Sequence, residues 1–82
     1  MLIVYIEVTV DLKNYKDETF DIRLSNYHTA KNLIDIVWQA RSISGQPREG
    51  YWLKIANKKV VLSGNEKLID CGITTGDRLE IL

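Results

Sequence analysis

The first third of the chain contains two runs in which apolar and polar residues alternate. The first run goes from Leu2 to Leu12, and the residues on its apolar face are Leu2, Val4, Ile6, Val8, Val10 and Leu12. The second run places Phe20, Ile22 and Leu24 on one face, with polar residues between them. A period of two residues with many β-branched side chains is typical of half-buried strands. The two runs and the polar segment between them therefore predict a β-hairpin.

The segment after this hairpin has the periodicity of a helix. Thr29 is the expected N-cap, because its hydroxyl can accept a hydrogen bond from a backbone N–H of the first turn. The apolar residues that follow recur at helical spacing, at Ala30, Leu33, Val37 and Ala40, with Ile34 and Ile36 beside them. The pattern predicts a helix from about Ala30 to Arg41 that packs this stripe on the sheet. The loop SISGQPREG, which contains glycine and proline, follows it.

A second hairpin is predicted for YWLKIANKKVVL, residues 51–62. The residues expected on its inner face are Tyr51, Leu53 and Ile55. Trp52 and Lys54 then lie on the outer face. Asn57 stands at the expected turn, where asparagine tolerates a positive φ.

The last part of the chain predicts a short helical turn and a final strand. Leu68, Ile69 and Ile73 are the expected core anchors of the turn, which Gly72 ends in a left-handed conformation. The segment TTGD then leads into a strand from Arg78 to Leu82, with Leu79 and Ile81 facing inward.

The order of these elements restricts the topology to few alternatives. A ββαββ order, a short helical turn and a last strand suit an α+β fold with one helix on one face of a mixed sheet. The last strand is expected to pair parallel to the first at the sheet centre, as in the β-grasp fold of ubiquitin. We expect a single domain over residues 1–82, with a core that includes Val8, Val10, Ile22, Leu33, Val37, Leu53, Leu68, Ile73, Leu79 and Ile81.

Composition narrows the classes of partner. The 82 residues include 11 basic and 11 acidic side chains, so the net charge is zero and a nucleic-acid partner is not expected. The single cysteine, Cys71, cannot form an internal disulfide, which fits a reducing compartment. The N-terminal segment lacks a basic region and a cleavage site, and no apolar stretch is long enough to cross a bilayer. We expect a soluble, cytoplasmic protein.

The residues that carry chemistry do not form a recognisable catalytic group. Cys71 and His28 are the only residues of nucleophile–base type, and they lie in different turns without a third, orienting residue. One cysteine and one histidine do not make a structural zinc site, and the five glycines form no phosphate-binding motif. We therefore expect no enzymatic activity, no metal and no cofactor.

The outer face of the predicted sheet is the expected partner surface. In a β-grasp sheet the last strand lies beside the third, so the residues brought together there are Trp52, Lys54, Arg78, Glu80 and Leu82. Tryptophan and arginine are enriched among the residues that dominate binding energy. The alternative for Trp52 is that it lies flat on a neighbouring strand and only stiffens it. Trp38, near the edge of the helical stripe, is expected to cover the core beneath the loop SISGQPREG.

Five segments spread over the chain resemble the YukD/EsaB family, nearer its YukD branch. They are DLKNY (Asp11–Tyr15), DIRLSNYH (Asp21–His28), IDIVWQA (Ile34–Ala40), PREGYW (Pro47–Trp52) and DCGITTGDRLEIL (Asp70–Leu82). Members of this family are small ubiquitin-like proteins of type VII secretion systems in Gram-positive bacteria. The chain departs from the family at its start, where MLIV lengthens the first strand.

The resemblance implies a cytosolic accessory protein that supports export of small helical WXG-type substrates by non-covalent binding. It also implies a membrane-bound FtsK/SpoIIIE-type ATPase as the motor of transport, and it carries over no catalytic residue. Ubiquitin has an exposed isoleucine at the centre of its recognition patch, where this chain has Lys54. The usual receptors of ubiquitin are therefore not expected to bind.

Two other functions are alternatives to an accessory role in secretion. A covalent modifier or sulfur carrier needs a flexible Gly-Gly terminus, whereas this chain ends on Leu82 within a strand pattern. A regulatory module for a transcription factor or nucleic acid is the second alternative, which retention on a polyanion column would reveal.

The first strand is apolar on both faces at Leu2, Ile3, Val4 and Tyr5, which predicts a monomer with weak self-association there.

Overall fold

The computed structural model describes residues 4–82 and contains five strands and one long helix. The elements are β1 (Tyr5–Asp11), β2 (Thr19–Ser25), α1 (Ala30–Arg41), β3 (Leu53–Ile55), β4 (Val60–Leu62), a 3-10 helix (Ile69–Cys71) and β5 (Arg78–Ile81). Leu2 and Ile3, which were predicted to begin the first strand, lie outside the described residues. Val4 and Tyr5, predicted to take part in self-association, are 47% and 63% exposed. That self-association stays a prediction.

The five strands form one mixed sheet in the order β2-β1-β5-β3-β4. β1 pairs antiparallel with β2 and parallel with β5. β3 pairs antiparallel with both β5 and β4. The parallel first and last strands at the sheet centre confirm the predicted α+β, β-grasp fold.

The helix α1 begins where its cap was predicted. The backbone N–H of Asn32 donates to Oγ1 of Thr29 at 3.1 Å, and the helix ends at Arg41, followed by the C-cap Ser42, whose φ is 49°. Its buried residues are Ala30, Leu33, Ile34 and Val37. The prediction that Ala40 belongs to this stripe is wrong, because Ala40 is exposed. Ala40 stands in the last turn of α1, which ends at Arg41, about one turn beyond Val37, the last buried residue of the stripe.

The core lies between α1 and the sheet. The buried apolar residues are Ile6, Val8, Val10, Leu12, Leu24, Ala30, Leu33, Ile34, Val37, Leu53, Ile55, Leu62, Leu68, Ile73, Leu79 and Ile81. These include nine of the ten predicted core residues, and the tenth, Ile22, is partly buried against them. The prediction that Ile69 anchors the core is wrong, since it is 39% exposed while Leu68 is fully buried. Successive residues of a 3-10 helix differ in direction by about 120°, and here Leu68 faces the core while Ile69 faces solvent.

The turn between β3 and β4 does not use Asn57 as predicted. The residue with a positive φ is Lys59, at 56°. The side chain of Asn57 instead bonds the start of β5: its Nδ2 donates to Oδ1 of Asp77 at 2.9 Å, and its Oδ1 accepts from the N–H of Arg78 at 2.9 Å. The prediction that Asn57 supplies the positive φ of this turn is therefore wrong. The residue matters here through its side-chain amide, which bonds Asp77 and Arg78.

Asp77 is the buried acceptor that joins this turn to β5. Besides Asn57, its carboxylate accepts from the N–H of Thr74 and from Nζ of Lys58, each at 2.9 Å. Only 4% of Asp77 is exposed. Burial by itself raises the pKa of this carboxyl, but the bonds from Asn57, Thr74 and Lys58 outweigh burial and hold the pKa below its usual 3.8.

Within residues 4–82, no helix has the length and apolar character that crossing a membrane requires.

We predict that Leu33→Ala and Leu79→Ala each lower the free energy of unfolding by about 2–5 kcal/mol, because both side chains are fully buried. Ile69→Ala is the matched control, and its cost is expected to be about 1 kcal/mol or less because the side chain is already partly in water. Urea denaturation of the three variants measures this. Melting of Leu33→Ala and Leu79→Ala at the parent temperature would show that the core is assigned wrongly.

A second prediction concerns pH. Because the folded-state pKa of Asp77 is depressed, its contribution to stability is complete above the unfolded-state value near 3.8 and is lost as pH falls through the lower folded value. Asp77→Asn is expected to cost about 1–3 kcal/mol at pH 7 and to flatten the loss of stability below pH 4. Urea titrations at several pH values test this, with the exposed Asp17→Asn as control. Equal acid sensitivity of the parent and Asp77→Asn would contradict it.

Candidate interaction surface

The side of the sheet opposite α1 is an open face. It consists of the outward residues of the five strands and their continuations: Tyr5, Glu7, Thr9, Asp11, Thr19, Asp21, Arg23, Ser25, Trp52, Lys54, Val61, Arg78, Glu80 and Leu82. Each of these residues is exposed or half-buried, whereas most of their inward neighbours are buried. The open face is therefore accessible to another protein.

The structure brings the five predicted surface residues together. Lys54 is directly opposite Glu80 in the antiparallel pair of β3 and β5. The N–H of Leu82 donates to the carbonyl of Trp52 at 3.1 Å, so these two residues are also opposite each other. Arg78 begins β5 and is opposite Thr9 of β1. Their shared location is as predicted, and their role in binding stays a prediction.

The charged groups of the β1–β5 half of the open face are paired within the protein. Nη2 of Arg78 lies 3.2 Å from Oδ2 of Asp11. Glu80 is held by Nζ of Lys13 at 3.4 Å and by Nδ2 of Asn14 at 3.1 Å. Oγ1 of Thr9 donates to Oδ1 of Asp21 at 2.7 Å. A partner that binds this half must compete with bonds that already exist.

The β3–β4 half of the open face differs because two of its hydrogen-bond donors have no acceptor within residues 4–82. Within residues 4–82, Lys54 forms no ion pair and the indole N–H of Trp52 has no acceptor, and Trp52 is 42% exposed. Val61 is opposite Lys54 and is 49% exposed. Sequence reasoning did not assign Val61 to the surface. The signal was available, since adjacent residues of a strand face opposite sides and Val61 is next to the buried Leu62.

The position of Trp52 depends on a glycine that precedes it. A Cβ placed on Gly50 would lie 2.5 Å from Nε1 of Trp52, so the indole packs directly over the backbone of that residue. Gly50 also has a φ of 93°, a backbone conformation that residues with a side chain rarely adopt. Its carbonyl accepts from the N–H of Gly64 at 3.0 Å, which fixes this loop to the start of the next turn. The indole therefore rests on the loop as well as on the strand.

Tyr15 and Trp38 anchor the same loop from the other side. The rings of Tyr15 and Trp38 meet edge to face with centroids 4.7 Å apart. The hydroxyl of Tyr15 accepts from the N–H of Arg48 at 3.0 Å and donates to the carbonyl of Leu82. Nε1 of Trp38 donates to the carbonyl of Gly45 at 3.3 Å. The prediction that Trp38 covers the core beneath this loop is confirmed.

The two residues of nucleophile–base type lie outside the open face. Cys71 is half-buried in the 3-10 helix, where burial first and then Glu66 and Asp70 raise the pKa of its thiol. A raised pKa keeps the thiol protonated at neutral pH and lowers its reactivity. His28 lines a shallow depression of about 230 Å³ on the outside of α1. Residues 4–82 hold no group of three metal-ligating side chains.

Comparisons with known proteins agree on one family. The family model described as "WXG100 protein secretion system (Wss), protein YukD" matches residues 5–81. The chain is 60% identical over 78 residues to "ESX secretion system protein YukD" of Bacillus subtilis (strain 168), which covers 95% of this chain and 99% of that protein. It is 35% identical over 78 residues to "Type VII secretion system accessory factor EsaB" of Staphylococcus aureus (strain Newman). This match covers 95% of this chain and 96% of that protein.

We predict that the double variant Trp52→Ala, Arg78→Ala stays folded. The ion pair of Arg78 is exposed and such pairs contribute about 0–1 kcal/mol, and the indole of Trp52 is already partly in water. The free energy of unfolding is therefore expected to fall by no more than about 1–2 kcal/mol, as measured by urea denaturation. A loss as large as that of Leu79→Ala would mean that Trp52 stiffens the sheet instead of serving a partner.

Proposed function

The chain belongs to the YukD family of WXG100 secretion-system proteins, and we propose that it is a cytoplasmic accessory protein of a type VII secretion system. The observation that carries this proposal is similarity over nearly the whole chain to relatives named for ESX or type VII secretion. Both relatives are themselves covered almost completely, so the shared region is their whole fold. The name "accessory factor" of the EsaB relative favours a supporting role without catalysis.

The mechanism we propose is reversible, non-covalent binding through the open face. Trp52 and Arg78 are of the residue types that most often dominate the energy of protein interfaces. Both are exposed; Trp52 directly precedes β3, and Arg78 begins β5, the strand beside β3 in the sheet. A surface on a packed sheet needs little ordering when it binds, which favours affinity.

The partner we propose is a component of the secretion machinery. Its membrane-bound FtsK/SpoIIIE-type ATPase is the first candidate, because an accessory protein that contacts the motor can influence the export of every substrate. The expected consequence of binding is more efficient secretion of small WXG-type substrates. A nucleic-acid partner is disfavoured, since the net charge is zero and acidic side chains such as Glu7 and Asp21 stand on the open face.

We predict that the double variant Trp52→Ala, Arg78→Ala lowers secretion of small WXG-type substrates at least several-fold while its own cellular amount is unchanged. The reason is that removing a buried interface tryptophan or arginine often costs about 2 kcal/mol or more of binding energy. The measurement is immunoblotting of substrate in medium and cells of the strain that produces the variant.

The control for this prediction is Tyr27→Ala, Lys67→Ala, which likewise removes one aromatic and one basic side chain; Nζ of Lys67 lies 5.4 Å from the centroid of the Tyr27 ring. That pair lies near the N-terminal end of α1 and not on the open face, so secretion is expected to stay normal. Normal secretion by the Trp52, Arg78 variant would move the binding site elsewhere. A series of higher-mass forms of the protein that resists boiling in detergent and reductant would contradict the non-covalent mechanism.

A further inference from the structure

The open face has two halves, and they differ in whether their charged side chains are paired within the protein. In the β1–β5 half, Arg78 and Glu80 already have partners within the protein. In the β3–β4 half, defined by Trp52, Lys54 and Val61, an ammonium without an ion-pair partner in residues 4–82, an exposed indole and an exposed apolar side chain stand together. A partner that bonds this ammonium displaces only water and breaks no bond within the folded chain.

The three groups of the β3–β4 half are close enough to contact one segment of a partner. Val61 is directly opposite Lys54 in the antiparallel pair, where Cβ atoms lie about 4.5–5.5 Å apart. Trp52 precedes Lys54 by two residues on the same face, a rise of about 7 Å along the strand. The indole ring, the Lys54 side chain and Val61 are therefore neighbours on this half of the open face, while the Nε1 edge of the ring lies over Gly50.

On the basis of the proposed function, we propose that the β3–β4 half is the main contact and that the docking segment presents a carboxylate next to an apolar side chain. The ammonium of Lys54 is a charged donor without an ion-pair partner in residues 4–82, and a carboxylate is the acceptor that complements it. Hydrogen bonds between charged groups are about twice as strong as neutral ones. The apolar neighbour packs on Val61 and the indole ring.

The same chemistry excludes a basic segment at this place. An arginine or lysine of a partner would lie beside Lys54, which forms no ion pair within residues 4–82. Glu80 is opposite Lys54, but its carboxylate is bonded to Lys13 and Asn14 and is directed toward the loop after β1. The β3–β4 half therefore selects for an acidic segment, even though the protein as a whole has no net charge.

Photo-crosslinking in cells tests this proposal. The photoreactive residue p-benzoyl-phenylalanine replaces Val61 in a strain that produces the secretion system, and mass spectrometry identifies the joined peptide. The matched control places the same residue at Val60, which is also exposed but is on the opposite face of β4, opposite the buried Ile55. We expect a specific product from position 61 and little from position 60, with Asp or Glu and an apolar residue near the joined site.

Charge reversal then separates the carboxylate from other contacts. Lys54→Glu is expected to lower the yield of the product about tenfold or more, while Lys54→Arg retains it. Trp52→Phe keeps an aromatic ring and is expected to retain most of the yield, whereas Trp52→Ala removes the apolar surface and is expected to lower it. Replacing the partner's carboxylate by lysine is expected to restore the yield with Lys54→Glu.

The outcomes distinguish this inference from the proposed function. An acidic, apolar segment on a component of the secretion machinery supports both. Such a segment on an unrelated protein, with normal secretion by Lys54→Glu, supports the inference and overturns the proposed function. A joined segment without a carboxylate, an unchanged yield with Lys54→Glu, or equal products from positions 60 and 61 would overturn the inference.

Discussion

The parallel pairing of β1 with β5 at the centre of the sheet is the constraint on which the other features depend. Val10 and Leu79 are opposite each other in this pair and are completely buried. The pair is extended by bonds from the N–H of Thr9 to the carbonyl of Asp77 and from the N–H of Gly76 to the carbonyl of Glu7. Because β5 occupies this place, β3 must pair on its other side, and Trp52 and Lys54 become neighbours of Glu80 and Leu82. The core and the open face thus result from one pairing between the two ends of the sequence.

This arrangement also explains why the open face has two unlike halves. The central strands β1 and β5 are close to the loop after β1, which supplies Lys13 and Asn14 to Glu80, and β1 itself supplies Asp11 to Arg78. β3 and β4 are short strands of three residues at the other side of the sheet. No acidic side chain within residues 4–82 reaches Lys54 from there. A partner can therefore supply what the chain does not, which is an acceptor for Lys54 and Trp52.

The sequence predicted the fold closely because each element carries a local signal. Alternation located β1 and β2, and Thr29 and the 3.6-residue spacing located α1. The errors concern residues whose environment is set by distant segments. Asn57 looked like a turn residue, but its amide serves Asp77 and Arg78, which follow about 20 positions later. Ile69 was as apolar as Leu68, and only the direction of the 3-10 helix decides which is buried. At the candidate site, alternation and fold placed the five surface residues, whereas their ion pairs and the exposure of Val61 require the three-dimensional register.

The two indole N–H groups provide the most direct test of the central claim that the open face binds a component of the secretion machinery. The indole of Trp52 is 42% exposed and its N–H has no acceptor within residues 4–82, while Trp38 donates to Gly45 beneath the loop. The measurement is the ¹H–¹⁵N spectrum of the labelled protein before and after addition of the purified secretion complex. We expect the indole signal of Trp52 to shift or broaden while that of Trp38 keeps its position. A change confined to Trp38, or equal changes of both signals, would contradict it.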